Sequence, residues 1–299
     1  MEFKAFLEQL LTAVNGELPA GRIARYKTVN KMNGVVYTGM YLDAGEKGSI
    51  SPLVYMEPIF EGISGPEALP EIAKELAKLL ISPVRQEAAA FRVSDFEFSK
   101  ERIVFRLVNR ADNETALQNF PHRDFLDLAV IYGVLISGDE ESDLGVAQVT
   151  FEIMNRWGVD EETLYKLAKE NSPRILGDEV RSLPEIMGSG WAADTEEDRK
   201  KIREAGRYFM VSNRHAFLGA GTLLYSGKYR EIAEKVGTDL YLLPTSVHEV
   251  MTVPAPGHTP EEMRRLLASI MSEDPKKEHC LTENVYYYSA EKGSILIAL

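Results

Sequence analysis

The chain has 299 residues, 44% hydrophobic and 27% charged, with a formal net charge of −12 at pH 7. That length suggests two domains of ordinary size, and the composition supplies a core, which excludes a disordered or collagen-like polymer. Residues 1–118 carry 14 basic and 16 acidic side chains, leaving −10 for residues 119–299; such a surface repels a phosphate backbone, no Lys/Arg-rich run offsets it, and nucleic acid is disfavoured as a partner.

In chain order, Phe3, Phe6, Leu7, Leu10, Leu11 and Val14 make one helical stripe ending at Asn15-Gly16. Residues 22–29 and 35–42 read as two strands joined through "KMNG", where Asn33-Gly34 supplies the positive φ angles of a hairpin turn. A third strand is expected in "SPLVYMEPIF". A helix follows, with Ser64 and Glu67 as a capping box and Leu69, Ile72, Leu76 and Leu79 as its buried stripe. "RIVFRLVN" alternates Ile103, Phe105 and Leu107 against Arg102 and Arg106, the pattern of a strand with one wet face.

The polar, turn-rich residues 109–124 mark the expected boundary, giving α+β domains over 1–118 and 119–299. The second part opens with a buried strand, "LDLAVIYGVLI", and an acidic loop, "SGDEESDLG". "VAQVTFEIM" continues as a strand or a helix entry. Asp160 caps a helix bearing Leu164, Leu167 and Ala168, and Thr195 caps another over 196–205. "RYFMVSN" is a short strand, leading into a helical stretch over 214–236 that breaks near Ser226-Gly227 and closes at Gly237. Strands at 239–243 and 249–254, a helix begun by Thr259 and Pro260, and a hairpin in "NVYYYSAEKGSILIAL" complete the chain. Without regular βαβ alternation, the expected architecture is α+β, with mixed or antiparallel sheets covered by helices.

Most of the chemical-looking clusters fit an ordinary structural role. His248-Glu249 lacks the second histidine four residues on that a zinc protease needs, because Thr252 stands there. Ser246 and His248 have no glycine-flanked elbow, and no acid is placed locally to orient the histidine, because adjacent His248 and Glu249 would diverge on a strand. His279-Cys280 are sequence neighbours, which rarely reach the geometry of a thiol–imidazole pair. Asp139, Glu140, Glu141 and Asp143 lack the alternating ligands of an EF-hand loop. His122, Arg123, Asp124 and Asp127 stand at the expected domain junction, where a capped polar linker explains the same letters.

Tyr286, Tyr287 and Tyr288 lie on one strand, two facing one side and one the other, and suit a protein contact. The remaining ligand-binding candidates are Arg214 and His215, at an expected helix start attractive to anions, with His248 from the following hairpin. Gly219 and Gly221 lack the Gly-Lys-Ser/Thr of a P-loop and are expected to allow close packing.

Cys280 is the only cysteine, so no internal disulfide forms, and no Cys-x-x-Cys holds zinc. The N-terminal residues lack the pattern of a signal peptide, and charges interrupt every apolar stretch short of the roughly 18 residues a membrane span requires. A cytoplasmic protein is expected, without metal or cofactor.

The wording of "NFPHRDFLDLAVIYGVLIS", "WGVDEETLYKLAKENSPRIL", "MVSNRHAFLGAGTLLYSGKYREIAEKVGTDLYLLPTSVHEVMTVP" and "NVYYYSAEKG" resembles a bacterial family of unknown function, and "NGVVYTGMYL" and "SPLVYMEPIFEG" are similar to it too. The resemblance implies a cytoplasmic bacterial protein of the same two-part plan and carries no catalytic residue onto the chain. The leading expectation is a non-enzymatic binding or regulatory protein with a protein partner; the alternative is an enzyme or binder acting on an anionic metabolite at Arg214, His215 and His248.

Overall fold

The computed structural model describes residues 1–43, 53–81, 93–137, 144–188, 195–225, 227–273 and 279–298. The chain divides into two compact units, Met1–Arg92 and Val93–Leu299. The acidic cluster of residues 139–143 lies outside the described residues.

The first unit holds a three-stranded antiparallel sheet in the order β1 (Ile23–Asn30), β2 (Val36–Asp43), β3 (Val54–Tyr55). β1 and β2 join as expected, with Asn33 at φ 62° and Gly34 at φ 66°. The first helix, Phe3–Glu17, runs three residues past its stripe, and Asn15 instead accepts from the Ala24 backbone N–H. The expected third strand shrinks to two residues, because Met56–Gly62 is a helix. Pro58 lies in its first turn, where a missing N–H costs nothing.

The helix Leu69–Ile81 starts after Gly65-Pro66, without the Ser64 cap. Its buried face is rotated from the expected stripe: Leu69, Ala73, Leu76, Ala77 and Leu80 point inward, while Leu79 is exposed. Phe6, Leu10, Met40, Met56 and Leu80 are among the side chains closing the core.

The second unit holds two antiparallel sheets. In the smaller, β6 (Leu128–Ser137) pairs with β4 (Ile103–Asn109) along one edge, and with β5 (His122–Phe125) and β7 (Leu144–Gln148) along the other. β4 therefore belongs to this unit, and the unit boundary falls at 92/93, not at 118/119. The wet face expected of β4 is also absent: Ile103, Val104, Phe105, Leu107 and Val108 are all buried. The capped helix Glu161–Leu176 lies across it, where Ser172 Oγ accepts from Phe105 N–H at 2.9 Å and Asn171 donates to the Ile103 carbonyl at 3.2 Å.

The larger sheet has the order β13 (Ser294–Ile297), β12 (Tyr286–Ser289), β10 (Leu240–Leu243), β11 (Val250–Pro254), β9 (Phe209–Ser212), β8 (Glu179–Ser182). "LYLL" is buried at every position because the sheet is covered twice. Leu240 and Leu242 join the core shared with the smaller sheet, and Tyr241 and Leu243 meet Met263 and Leu267 of the helix Pro260–Glu273. Strand alternation divides the four side chains between the two layers.

The stretch expected to be helical over 214–236 is helical only at its end. Residues 213–218 form an irregular loop, Gly219–Leu224 a 3-10 turn, and Lys228–Val236 the helix, closed by left-handed Gly237. The cause is local. Asn213 Oδ1 accepts from the N–H groups of His215 and Phe217, and its Nδ2 donates to the Phe217 carbonyl, giving the backbone an alternative to helical bonding.

Candidate functional site: a tyrosine-walled cavity

The second unit contains a cavity of about 540 Å³, walled by segments far apart in sequence. Its first wall comes from the β5–β6 hairpin, whose two-residue turn is Leu126-Asp127, with Leu126 at φ 56°. The Asp127 carboxylate accepts from Tyr286 OH at 2.6 Å, Asn284 Nδ2 at 2.9 Å and Thr282 Oγ1. These bonds tie the turn to β12 and place Phe125 and Tyr288 on the cavity.

The second wall is Tyr165, from the helix Glu161–Leu176. The Arg123 guanidinium carbon lies 3.8 Å from its ring centroid, within range of a cation–π contact. Arg123 is itself fixed by two bonds to Glu161 and by one of 2.6 Å to Glu162. Tyr132 OH donates to the same Glu161 carboxylate. Burial first, then this bond and the Glu161 charge, hold the Tyr132 phenol far above the ordinary tyrosine range. Tyr165 is thus backed by a locked ionic network.

The third wall is the 3-10 turn with Leu223, Leu224 and Tyr225, followed by Tyr229 and Arg230 in the first turn of the helix Lys228–Val236. Tyr229 is buried, which keeps its phenol protonated, and its ring centroid is 6.4 Å from that of Tyr288. Gly293 and Ile295 of the β12–β13 hairpin complete the rim. Lys228 is clasped by Asp178 and Glu231. Among the described residues Arg230 has no ion-pair partner, and its guanidinium lies over Gly293.

Arg214, His215 and His248 sit elsewhere. No helix starts at Arg214: it is exposed, and its guanidinium packs over Gly177. The dipole argument for an anion there consequently has no helix to act through. His215 is exposed too. His248 is half-buried, and its Nδ1 accepts from Leu218 N–H at 3.2 Å, which puts the proton of a neutral ring on Nε2. Its ring packs against Phe217 and edge-on to His279, 5.1 Å between centroids. Among the described residues, no group of three His, Cys, Asp or Glu side chains is gathered to hold a metal.

The junction residues have structural partners: His122 Nδ1 is bonded to the Phe120 carbonyl, and Asp124 pairs with Arg110. Of the tyrosine trio, Tyr286 and Tyr288 are buried on one face of the sheet, and Tyr287 is half-buried on the other, edge-on to Tyr241 and bonded to Asp239 at 2.6 Å. Two of the three rings expected at a protein contact are therefore inside the unit. Of the cavity residues, the sequence singles out Tyr288 for a contact and Gly227 only as a helix break. Tyr165, Tyr229 and Arg230 form no linear pattern with Tyr288, and only the pairing of distant strands brings them together.

No described helix is long and apolar enough to cross a membrane. No curated protein and no solved structure matches the chain. A model described as a family of unknown function, DUF5688, matches residues 3–290, and the chain belongs to that family.

Proposed function

We propose that the protein is a non-enzymatic binding protein whose second unit holds a small organic molecule in the tyrosine-walled cavity. The observation that carries this reading is the cavity itself: about 540 Å³, inside the range of roughly 300–1,000 Å³ for small-molecule sites, with aromatic walls and a few polar groups. A binding role is favoured over catalysis because the nearby carboxylates are engaged. Glu161 bonds Tyr132 and Arg123, and Asp127 accepts from three donors. The cytoplasm is the proposed compartment, which suits a lone, half-buried cysteine.

The test is a thermal-shift screen of small organic molecules against the wild type and Ile295→Trp, which fills the rim. At least one compound is expected to raise the wild-type Tm without affecting the filled variant. Equal shifts in both proteins, or no shift from any compound, would sink the proposal.

A further inference from the structure

We infer that the ligand is a monocarboxylate with a flat aromatic body, and that Arg230 selects it; this rests on the reading of the cavity above. Three features converge. The first is charge. Lys228 on the same helical turn is neutralised by Asp178 and Glu231, whereas Arg230 has no ion-pair partner among the described residues. The cavity thus offers one uncompensated positive charge. A monoanion matches it. A phosphate ester of charge near −2 would leave a negative charge unmet in a protein of net charge −12.

The second feature is shape. A guanidinium presents paired N–H donors whose spacing matches the two oxygens of a carboxylate. Gly293 leaves room for this fork: a Cβ there would come within 2.8 Å of Arg230 Nη2, and its φ of 62° disfavours any other residue. The third feature is the wall. Phe125, Tyr165, Tyr229 and Tyr288 line the same cavity as Arg230, and such rings accept a flat partner by offset stacking or edge contact.

The experiment is calorimetric titration of the full chain at pH 7 with three probes sharing one ring system: 2-naphthoate, neutral 2-naphthamide and 2-naphthyl phosphate. Wild-type protein is expected to bind 2-naphthoate about tenfold more tightly than the amide, and more tightly than the phosphate. Arg230→Gln should abolish the preference for naphthoate over the amide, the amide losing less because its single carbonyl accepts from the guanidinium without the charge. Arg230→Lys, which keeps the charge without the fork, should restore only part of the preference. Arg230 is exposed, so these variants are expected to fold.

Equal binding of naphthoate and amide, preference for the phosphate, or an unaltered preference in Arg230→Gln overturns the carboxylate assignment. The cavity reading survives any of these if Ile295→Trp still abolishes binding of all three probes. Failure of every probe to bind the wild type overturns both.

Discussion

Tyr286 is fully buried, and a hydroxyl enclosed by protein needs an acceptor; Asp127 supplies it at 2.6 Å while also receiving Thr282 and Asn284. Removing the acceptor strands several donors at once, at about 1–3 kcal/mol for each one left dry. Asp127→Ala is therefore expected to lose about 3 kcal/mol of stability, and Tyr286→Phe about 1–2 kcal/mol. The double variant should lose less than the sum, because the shared bond is counted twice. Urea unfolding of the four proteins checks this; strict additivity would show that the bond contributes nothing. This role was not legible in "HRDFLDL", since the donors lie 155 to 159 residues further along. The caps at Asp160 and Thr195 were legible, because each reaches only three residues forward.

A second pair at this scale sets a pH dependence. The Tyr287 hydroxyl and then the Ala290 N–H hold the Asp239 carboxylate below its ordinary range, while the bond to Asp239, followed by burial, pushes Tyr287 up to about 12. A depressed carboxylate stabilises the fold above its unfolded pKa of roughly 3.9, and that stability is lost as pH falls through the folded value. A raised phenol stabilises fully below its unfolded pKa of roughly 10, and that part is lost as pH climbs toward about 12. Tm measured against pH should show a plateau between these windows, and Tyr287→Phe should flatten both shoulders. Shoulders unchanged in the variant would mean that other groups control them.

Among the elements, the segment from Asn213 to Leu224 shows where local pattern stops being informative. Apolar spacing predicts a helix, but Asn213 closes a loop instead, leaving Ala216 at φ 48° and Leu218 at φ 55°. The two glycines expected to allow close packing then prove unequal. A Cβ on Gly219 would come within 2.2 Å of Ser212 Oγ and 2.3 Å of the His248 carbonyl oxygen, whereas one on Gly221 would meet only Phe105 atoms at 3.9–4.0 Å. Gly219→Ala should therefore cost at least about 2 kcal/mol, the range for forcing extra volume into a packed site. Gly221→Ala should stay within about 1 kcal/mol of wild type. Thermal denaturation of the two variants separates them, and equal losses would show that the loop yields freely.

The same limit explains two other differences. In Leu69–Ile81 the inward face includes Ala73 and Ala77, small residues that a search for large apolar side chains passes over. In β4, Arg106 suggested a wet face, but Val104 and Val108 on that side are covered. The β1–β2 hairpin and the caps at Asp160 and Thr195, which are decided within a few residues, were readable, whereas the Ser64 cap was not formed. The order of the strands and the packing of helices across them were not.

At the scale of the whole molecule, the α+β class followed from mixed elements without βαβ alternation, but the division into units did not. A polar, turn-rich run at 109–124 resembles a linker, yet its strands lie inside one sheet, because β4 pairs with β6 along all seven of its residues. A truncated chain distinguishes the two boundaries. Residues 93–299 contain both sheets and should fold alone, with one cooperative urea transition and the naphthoate affinity of the full chain. Residues 119–299 lack β4, and with it five buried side chains, Ile103, Val104, Phe105, Leu107 and Val108. At about 2 kcal/mol for each such side chain, the loss is on the order of 10 kcal/mol. The total stability of a domain is roughly 5–15 kcal/mol, so the shorter fragment should show no cooperative transition. Circular dichroism and urea titration decide the matter: a cooperative 119–299 fragment would mean that β4 is dispensable, and an unfolded 93–299 fragment would mean that the unit depends on the residues before it.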